Sequence, residues 1–173
     1  GTATAKALGQ QVSPQTDMIS GSTFATQAMT GSLQGIMSNR MAALRSGDAY
    51  ATGMSAGSLS ANSGFVQLFA TDSEQKNTTV GSGTKFGYDA SSSGIAIGFD
   101  GIADNGSVVG LSISMAQTDV DGKGTGAAKN DIDSYSASIY VDHTSDTGYV
   151  EGSLTVGLNE NNTSRVVNVS SLD

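Results

Sequence analysis

The chain has 173 residues, enough for one ordinary domain, and 16 acidic against 8 basic residues give it a formal net charge of -8. This balance excludes nucleic acid as a partner, because the chain has no basic patch to neutralise phosphates. The absence of cysteine excludes disulfides and thiolate metal sites. No apolar run is long enough for a membrane-spanning helix, and the first residues do not read as a signal peptide.

The first periodic segment predicts an α-helix. Five apolar residues and one arginine recur at helical spacing and form a single stripe: Leu33, Ile36, Met37, Arg40, Met41 and Leu44. Arg45 lies beside this stripe. Gly47 stands where a helix that ends just after Arg45 would stop, and Ser13-Pro14 resembles a helix start. We predict a helix over residues 28–47, with a weaker helical pattern over residues 14–27.

A linker rich in Ser, Ala and Gly over residues 48–63 leads into segments that alternate with a period of two. Four of five strand candidates have large apolar side chains on one face: Ile95, Ile97, Phe99, Val109, Leu111, Ile113, Met115, Ile139, Val141, Leu154 and Val156. Their other face has small or polar residues, including Gly94, Gly98, Asp100, Gly110, Ser112, Ser114 and Glu151. The remaining candidate, GFVQLFATD, is ambiguous.

Long polar connections alternate with short ones along the chain. The segments TDSEQKNTTVGSGTK and TDVDGKGTGAAKND are long, whereas IADNGS and HTSDTG are short. This alternation is typical of an up-and-down meander in an outer-membrane barrel, with long loops outside the cell and short turns in the periplasm. We therefore expect the aliphatic face to meet lipid and the small, polar face to line a lumen.

The order of these parts resembles the translocator β-domain of the classical autotransporters. The similarity covers roughly residues 30–169, and its most specific run is GYD…SGIAIGFD…VVGLSISMA. In that family a helix threads the barrel lumen and links the translocator to an exported passenger. The resemblance implies an outer-membrane translocator or anchor that exports or displays an N-terminal passenger on the bacterial cell surface. The partners it implies are the lipid bilayer, the outer-membrane barrel assembly machinery and the chain's own passenger domain, with no cofactor.

The implied fold class is mainly β: an antiparallel up-and-down outer-membrane barrel, present in part, preceded by an α-helix that plugs the lumen. We assign residues 1–27 to a linker or passenger remnant, 28–47 to the luminal helix, 48–63 to a linker and 64–173 to the first barrel strands. The family's barrel has many more strands and ends in an aromatic residue, whereas this sequence ends in VNVSSLD. Because an open edge leaves unpaired amides in lipid, we expect further strands or closure with other chains.

Charged residues predict contacts between the helix and the lumen wall. Asp100 and Glu151 lie on the small face, so we expect Arg40 and Arg45 to pair with them and fix the register of the helix. The alternative is that both arginines only belong to the polar face of the helix. If the helix fills the lumen, Met37 or Ala42 is expected to lie close to Ser112 or Ser114.

The remaining chemical groups predict neither a catalytic nor a metal site. In some autotransporters an asparagine cyclises inside the barrel and releases the passenger, but the sequence around Asn39, SNR, lacks the paired asparagines of that site. His143 is expected in a turn, and DVDGKGTG lacks the acidic residue that closes a calcium loop. With one histidine and no cysteine, the chain has no evident pair of nucleophile and base, so we expect no enzyme.

A competing class is a soluble structural or adhesive β module rich in Gly, Ser and Thr, such as a fragment of a passenger or of a surface layer. The two classes differ in the position of the aliphatic face. A soluble sandwich packs that face inward against a second sheet, whereas a barrel turns it outward and places small residues inside. The small faces of the strands, together with the helix before the first strand, favour the barrel.

Overall fold

The computed structural model describes residues 16–47, 54–56, 62–81, 83–124 and 128–166. Within these residues one long helix precedes eight strands. The helix α1 is Thr16–Ser46, and the strands are β1 Met54–Ala56, β2 Asn62–Gln75, β3 Thr78–Val80, β4 Gly83–Lys85, β5 Tyr88–Ile102, β6 Val108–Gly122, β7 Lys129–Ser145 and β8 Gly148–Ser164.

Six strands form one antiparallel sheet in the order β1-β2-β5-β6-β7-β8, and β3 pairs with β4 in a separate hairpin. The long strands are therefore paired in the order in which they follow one another, as in an up-and-down meander. The predicted class, mainly antiparallel β with one N-terminal helix, is confirmed. The described strands form an open sheet with β1 and β8 at its edges, and no closed barrel is seen among them.

Alternating side chains give the sheet two different faces. In β6, buried and exposed residues alternate without interruption from Val109 to Asp121. Buried positions pair with one another across the strands, so that Ser112 lies between Gly98 of β5 and Ser138 of β7. Because the side-chain period of a strand is two, this register gathers the small residues on one face and the large aliphatic residues on the other.

Helix α1 lies on the small face and contacts mainly β5 and β6. The larger cluster of buried residues between them consists of Met29, Leu33, Ile36, Met37, Met41, Phe65, Ala96, Ala116 and Tyr140. A second cluster under the first half of the helix consists of Ala25, Tyr88, Ala90, Val120, Ala128 and Ile132. At Gly21 the helix lies so close to the side chains of the sheet that a Cβ would lie 2.7 Å from Cγ1 of Val120 and 2.9 Å from Cγ of Tyr88. The helix therefore needs glycine here for its approach to the sheet.

The helix has a defined polarity relative to the connections of the sheet. Near its N-terminus, the hydroxyl of Ser22 accepts a hydrogen bond of 2.8 Å from Asn130, beside the long connections. Near its C-terminus, Arg40 and Arg45 reach the sheet beside the short connections. The helix ends at Gly47, whose φ of 78° is the left-handed conformation that glycine favours. Its 31 residues correspond to a length of about 46 Å.

Several predicted boundaries need correction. The helix begins at Thr16, well before residue 28, and the expected start at Ser13-Pro14 lies outside the described residues. Strand β1 lies inside the predicted linker 48–63, and β2 begins at Asn62. The hairpin of β3 and β4 lies in a segment predicted to be a polar loop.

The turn between β7 and β8 is tighter than predicted. Strand β7 continues to Ser145, which pairs with Gly148, so the connection is reduced to Asp146 and Thr147. His143 therefore lies in strand β7 and not in a turn. Its Nδ1 is 2.9 Å from the hydroxyl oxygen of Ser107. No helix in the described part of the chain combines the length and the apolarity needed to cross a membrane.

Candidate functional site

The candidate site is the contact between α1 and the small face of the sheet. Of the small-face residues predicted from the sequence, Gly98, Asp100, Gly110, Ser112 and Ser114 are buried, and Gly94 and Glu151 are half-buried. Hydroxyl pairs cross the strands on this face, including Ser114 with Ser136 at 2.6 Å and Ser138 with Thr155 at 2.8 Å. These pairs satisfy polar groups that the helix shields from water.

The predicted stripe of α1 faces the sheet. Leu33, Ile36, Met37, Arg40 and Met41 are buried, and Leu44 and Arg45 are half-buried. The hydroxyl of Ser112 donates a hydrogen bond of 3.4 Å to the sulfur of Met37. Ala42 is exposed, so the expectation that it lies against Ser112 or Ser114 is wrong. In a helix, residues 37 and 42 differ by about 140° around the axis, which places them on different faces.

Arg40 forms a buried ion pair with the sheet. Its Nε lies 2.7 Å from Oδ2 of Asp100, and a second nitrogen lies 3.0 Å from Oδ1, so the contact is bidentate. Arg40 is fully buried, and the side chain of Asp100 is 2% exposed. Ser63 of β2 accepts a hydrogen bond of 2.6 Å from Arg40 and donates one to Asp100. Such a pair tolerates burial only because each charge is compensated by the other and by hydrogen bonds.

One row of the sheet explains how Asp100 gains a further donor. Ser63, Asp100, Gly110 and Tyr140 are successive partners across β2, β5, β6 and β7. The ring of Tyr140 lies over Gly110, in the space that a Cβ would occupy, and its hydroxyl donates a hydrogen bond of 2.8 Å to Oδ2 of Asp100. Gly110 is therefore needed for its lack of a side chain, since any larger residue would displace Tyr140 from Asp100.

Arg45 forms a second charged contact at the C-terminal end of the helix. It lies 2.8 Å from Oε2 of Glu151 and also pairs with Asp142, which is buried. Asp142 and Glu151 are direct partners on β7 and β8, so two carboxylates share one guanidinium. The guanidinium carbon lies 3.9 Å from the ring centroid of Tyr149. Arg45 belongs to the last turn of the helix, so its positive charge also lies near the negative end of the helix dipole.

The sequence predicted part of these contacts. The pairs of Arg40 with Asp100 and of Arg45 with Glu151 are both formed. The contacts made by Ser63, Tyr140 and Asp142 were not predicted from the sequence. The signal available for Asp142 was its small-face parity, which makes it a third carboxylate facing the helix.

The residues that were weak candidates for passenger cleavage or metal binding do not form a site in the structure. Asn39 is exposed, whereas Asp100 is buried and paired with Arg40. Among the residues that the structure describes, no three His, Cys, Asp or Glu side chains are grouped to hold a metal ion. Part of the segment DVDGKGTG lies outside those residues.

The outward face of the sheet has four rows with large apolar residues, which we call the apolar band. The rows run across the strands as Leu68-Ile95-Met115-Tyr135-Leu158, Val66-Ile97-Ile113-Ala137-Val156, Gly64-Phe99-Leu111-Ile139-Leu154 and Asn62-Gly101-Val109-Val141-Gly152. The residues predicted for this face are exposed except Ile95, which is half-buried. The ambiguous strand is resolved, because Leu68 is exposed and Phe65 is buried under the helix.

Three further outward rows, which we call the acidic rim, continue the sheet toward the long connections. They are Ala70-Ser93-Gln117-Asp133-Glu160, Asp72-Ser91-Asp119-Asp131-Asn162 and Glu74-Asp89-Asp121-Lys129-Ser164. Lys123, just beyond β6, binds Asp89 at 2.7 Å and Glu74 at 2.8 Å. These hydrogen bonds, the one to Asp89 above all, raise the pKa of Lys123 above its usual value and link three strand ends.

Residues 64–173 match the Autotransporter beta-domain family. The chain belongs to this family. The match begins within β2 and includes β5 to β8, and it confirms the resemblance drawn from the sequence. No curated protein and no solved structure matches the chain. Membership of the Autotransporter beta-domain family implies an outer-membrane translocator role.

Proposed function

We propose that this autotransporter β-domain anchors and exports, or displays, an N-terminal passenger on the bacterial cell surface. The polarity of α1 supports this proposal most directly. The N-terminal end of the helix lies beside the long connections, where Ser22 contacts Asn130, and Arg45 at the other end lies beside the short ones. In outer-membrane barrels long loops face the outside and short turns face the periplasm. Residues that precede the helix would then emerge outside the cell.

The two faces of the sheet support the same assignment. In our proposal the apolar band contacts lipid, the small face lines the lumen, and α1 fills that lumen. The exposed fractions of Leu111 and Leu154, 62% and 66%, are what a lipid-facing surface requires and are unfavourable in water. A soluble sandwich would need a second layer over the apolar band, but in the described residues the helix covers the opposite face.

The unpaired edge of the sheet is an argument that the functional protein contains more strands than the described ones. Among the described strands β8 pairs only with β7, so its other edge presents backbone groups that a bilayer cannot satisfy. We propose that further strands, or strands of other chains, close the sheet around α1, and that the barrel assembly machinery inserts the product. In domain terms, we propose that Thr16–Ser46 is the luminal helix, that β1, β2 and β5 to β8 are barrel strands, and that linker or passenger sequence precedes residue 16.

An epitope-accessibility experiment tests the orientation. One epitope is placed before residue 16 of the full-length protein, and a matched one is inserted between Asp146 and Thr147 in the short turn of β7 and β8. In intact cells the first epitope should be accessible to antibody or protease. The second should become accessible only after the outer membrane is permeabilised. Accessibility of the turn epitope alone in intact cells would reverse the proposed orientation, and protection of both would refute display.

A further inference from the structure

The middle of α1 contains two glycines that weaken the helix. Apart from the local backbone of the helix, no described atom lies within 4 Å of a Cβ placed on Gly31 or on Gly35. Alanine would therefore fit at both positions, and each glycine lowers the equilibrium constant for helix formation about fivefold relative to alanine. Gly21 differs from them, because a Cβ there would lie 2.7 Å from Cγ1 of Val120. Among the described residues, the packing thus explains Gly21 but neither of the other two.

Other residues of α1 add to this weakness. The hydroxyls of Thr23, Thr30 and Ser32 donate hydrogen bonds of 2.8, 2.9 and 3.0 Å to the carbonyl oxygens four residues earlier, a contact that slightly destabilises a helix. The charged residues of the helix, Asp17 and the two arginines, are too far apart or too alike to pair along it. Strong helix formers are favoured where packing does not dictate the residue, yet most exposed residues of α1 are of weaker types.

The buried side of α1 supplies the stability that the exposed side lacks. Leu33, Met37 and Met41 are buried in the cluster shared with the sheet, and Arg40 pairs with Asp100 of β5. These contacts form only when the helix lies on the sheet. Most helical stability in proteins comes from such packing of one face, and propensity alone adds little. A segment of this composition therefore loses most of its reason to be helical when it leaves the sheet.

We propose that α1 becomes helical only as it docks on the small face of the sheet, and that before docking the same segment passes through the lumen in an extended form. Its 31 residues span about 46 Å as a helix and about 100 Å when extended. An extended chain is also narrower than a helix of about 10 Å diameter, so the glycines favour the form that passes more easily. The passage through the lumen rests on the proposed function, whereas the coupling of helix formation to docking rests on the contacts alone.

Two matched substitutions test whether helix formation depends on docking. Gly31→Ala and Gly21→Ala raise helix propensity equally, but only Gly21→Ala places a Cβ against Val120 and Tyr88. In full-length protein in lipid vesicles, amide hydrogen exchange in the middle of α1 should become about fivefold slower in Gly31→Ala. Exchange around residue 21 should become faster in Gly21→Ala, while β6 and β7 stay as protected as before. Equal or slower exchange around residue 21 would overturn the proposal, because the helix would then not need the sheet.

The rate of export tests the extended passage. The epitope placed before residue 16 is followed in intact cells after a pulse of synthesis. Gly31→Ala combined with Gly35→Ala should delay its appearance at the surface by about five- to twenty-five-fold, because each alanine lowers the extended population about fivefold. Gly152→Ala, at an equally open position on β8, is the matched control and should cause no delay.

The two measurements together separate the possible failures. An unchanged export rate in the double variant, with slower exchange in its helix, would overturn the extended passage. Faster exchange in Gly31→Ala would show that a close neighbour requires this glycine, and it would overturn the role of Gly31 as a weak point of the helix. Absence of the epitope from intact cells that make the unsubstituted protein would instead refute the proposed function. The comparison of Gly21→Ala with Gly31→Ala would still decide whether helix formation depends on docking.

Discussion

Arg40 brings a full positive charge under the helix, onto the small face of the sheet. Its guanidinium is held by Asp100 and Ser63, and Phe65 lies beside it with its ring centroid 5.2 Å from the guanidinium carbon. Desolvation of two ions costs several kcal/mol each, so the gain of such a pair lies in geometry more than in stability. Only one axial position of the helix satisfies the pair, and the contact therefore selects a single register of α1.

Removal of one partner of this pair should destabilise the folded protein strongly. Arg40→Met leaves the carboxylate of Asp100 buried without its cation, and we expect a loss of about 3–5 kcal/mol in the free energy of unfolding. The measurement is reversible urea unfolding of the full-length protein in lipid vesicles. The double variant Arg40→Met with Asp100→Asn should lose less than the sum of the single variants, since both charges are then absent.

A matched control separates burial from charge. Lys129→Met removes the exposed ion pair of 2.8 Å with Asp121 and should change unfolding little, because water already solvates both ions. An equal loss in Arg40→Met and Lys129→Met would contradict the assignment of a register-setting role to Arg40.

The charge pairs could be predicted from the sequence, whereas the hydrogen bonds around them could not. Helical spacing and strand parity put Arg40 and Arg45 on the helix and Asp100 and Glu151 on the sheet face expected to meet it, but they do not say which arginine meets which carboxylate. The reach of Tyr140 across Gly110 depends on the register of two strand pairs and on the rotamer of one ring. Neither quantity is encoded in the spacing of residues along a single strand, which explains why this contact was missed.

At the scale of elements, the fit between α1 and the sheet depends on small residues on both surfaces. Ala25 and Gly21 let the first half of the helix approach Tyr88 and Val120, and in the second half the larger Met37 packs against Ser112. The sequence predicted the second half of the helix because its apolar stripe is continuous there. It underestimated the first half, where low helix propensity is overridden by packing against the sheet.

The strands show the same limit of local prediction. The five long strands were anticipated from their alternation, with ends that the structure extends. Strand β1 and the hairpin of β3 and β4 were missed because each of these strands has only 3 residues, too few to show an alternation. Their pairing comes from neighbouring strands, and that information lies outside the segment itself.

Cysteine pairs should report the position of the helix, and the chain has no cysteine to interfere. Met37→Cys with Ser112→Cys should react with a short thiol-specific crosslinker in intact membranes, because the hydroxyl of Ser112 donates a hydrogen bond to the sulfur of Met37. Ala42→Cys with Ser112→Cys is the matched control, and it should react poorly since Ala42 is exposed on another face. The measurement is the shift in gel mobility of the crosslinked protein.

Removal of the helix gives an independent measurement of the same arrangement. If α1 fills the lumen, deletion of Thr16–Ser46 should raise the single-channel conductance of the full-length protein. Equal crosslinking of both cysteine pairs, together with unchanged conductance, would place the helix outside the pore.

At the scale of the whole molecule, the pairing register of the strands divides the sheet surface into three regions: the face under the helix, the apolar band and the acidic rim. The helix lies on one face, the apolar band occupies the other, and the acidic rim begins one row beyond Leu68, Met115 and Tyr135. The net charge of -8 is therefore unevenly distributed, with carboxylates concentrated where the long connections begin. Composition could indicate the acidity but not this boundary, because the boundary appears only when five strands are aligned.

This boundary predicts how the cost of a charge depends on its row. Leu111→Arg places a guanidinium within the apolar band, and near the bilayer midplane we expect a loss of about 2–4 kcal/mol in the free energy of unfolding. Gln117→Arg, on the same strand and the same face but in the acidic rim, should cost only about 0–1 kcal/mol, as at a membrane interface. Both values come from urea unfolding of the full-length protein in lipid vesicles. A neutral effect of Leu111→Arg, or recovery of the protein as a water-soluble monomer with this face protected, would remove β6 from the bilayer. The difference between the two variants is the decisive quantity, since each adds one arginine to an exposed position on the same face of the same strand, one within the apolar band and one within the acidic rim.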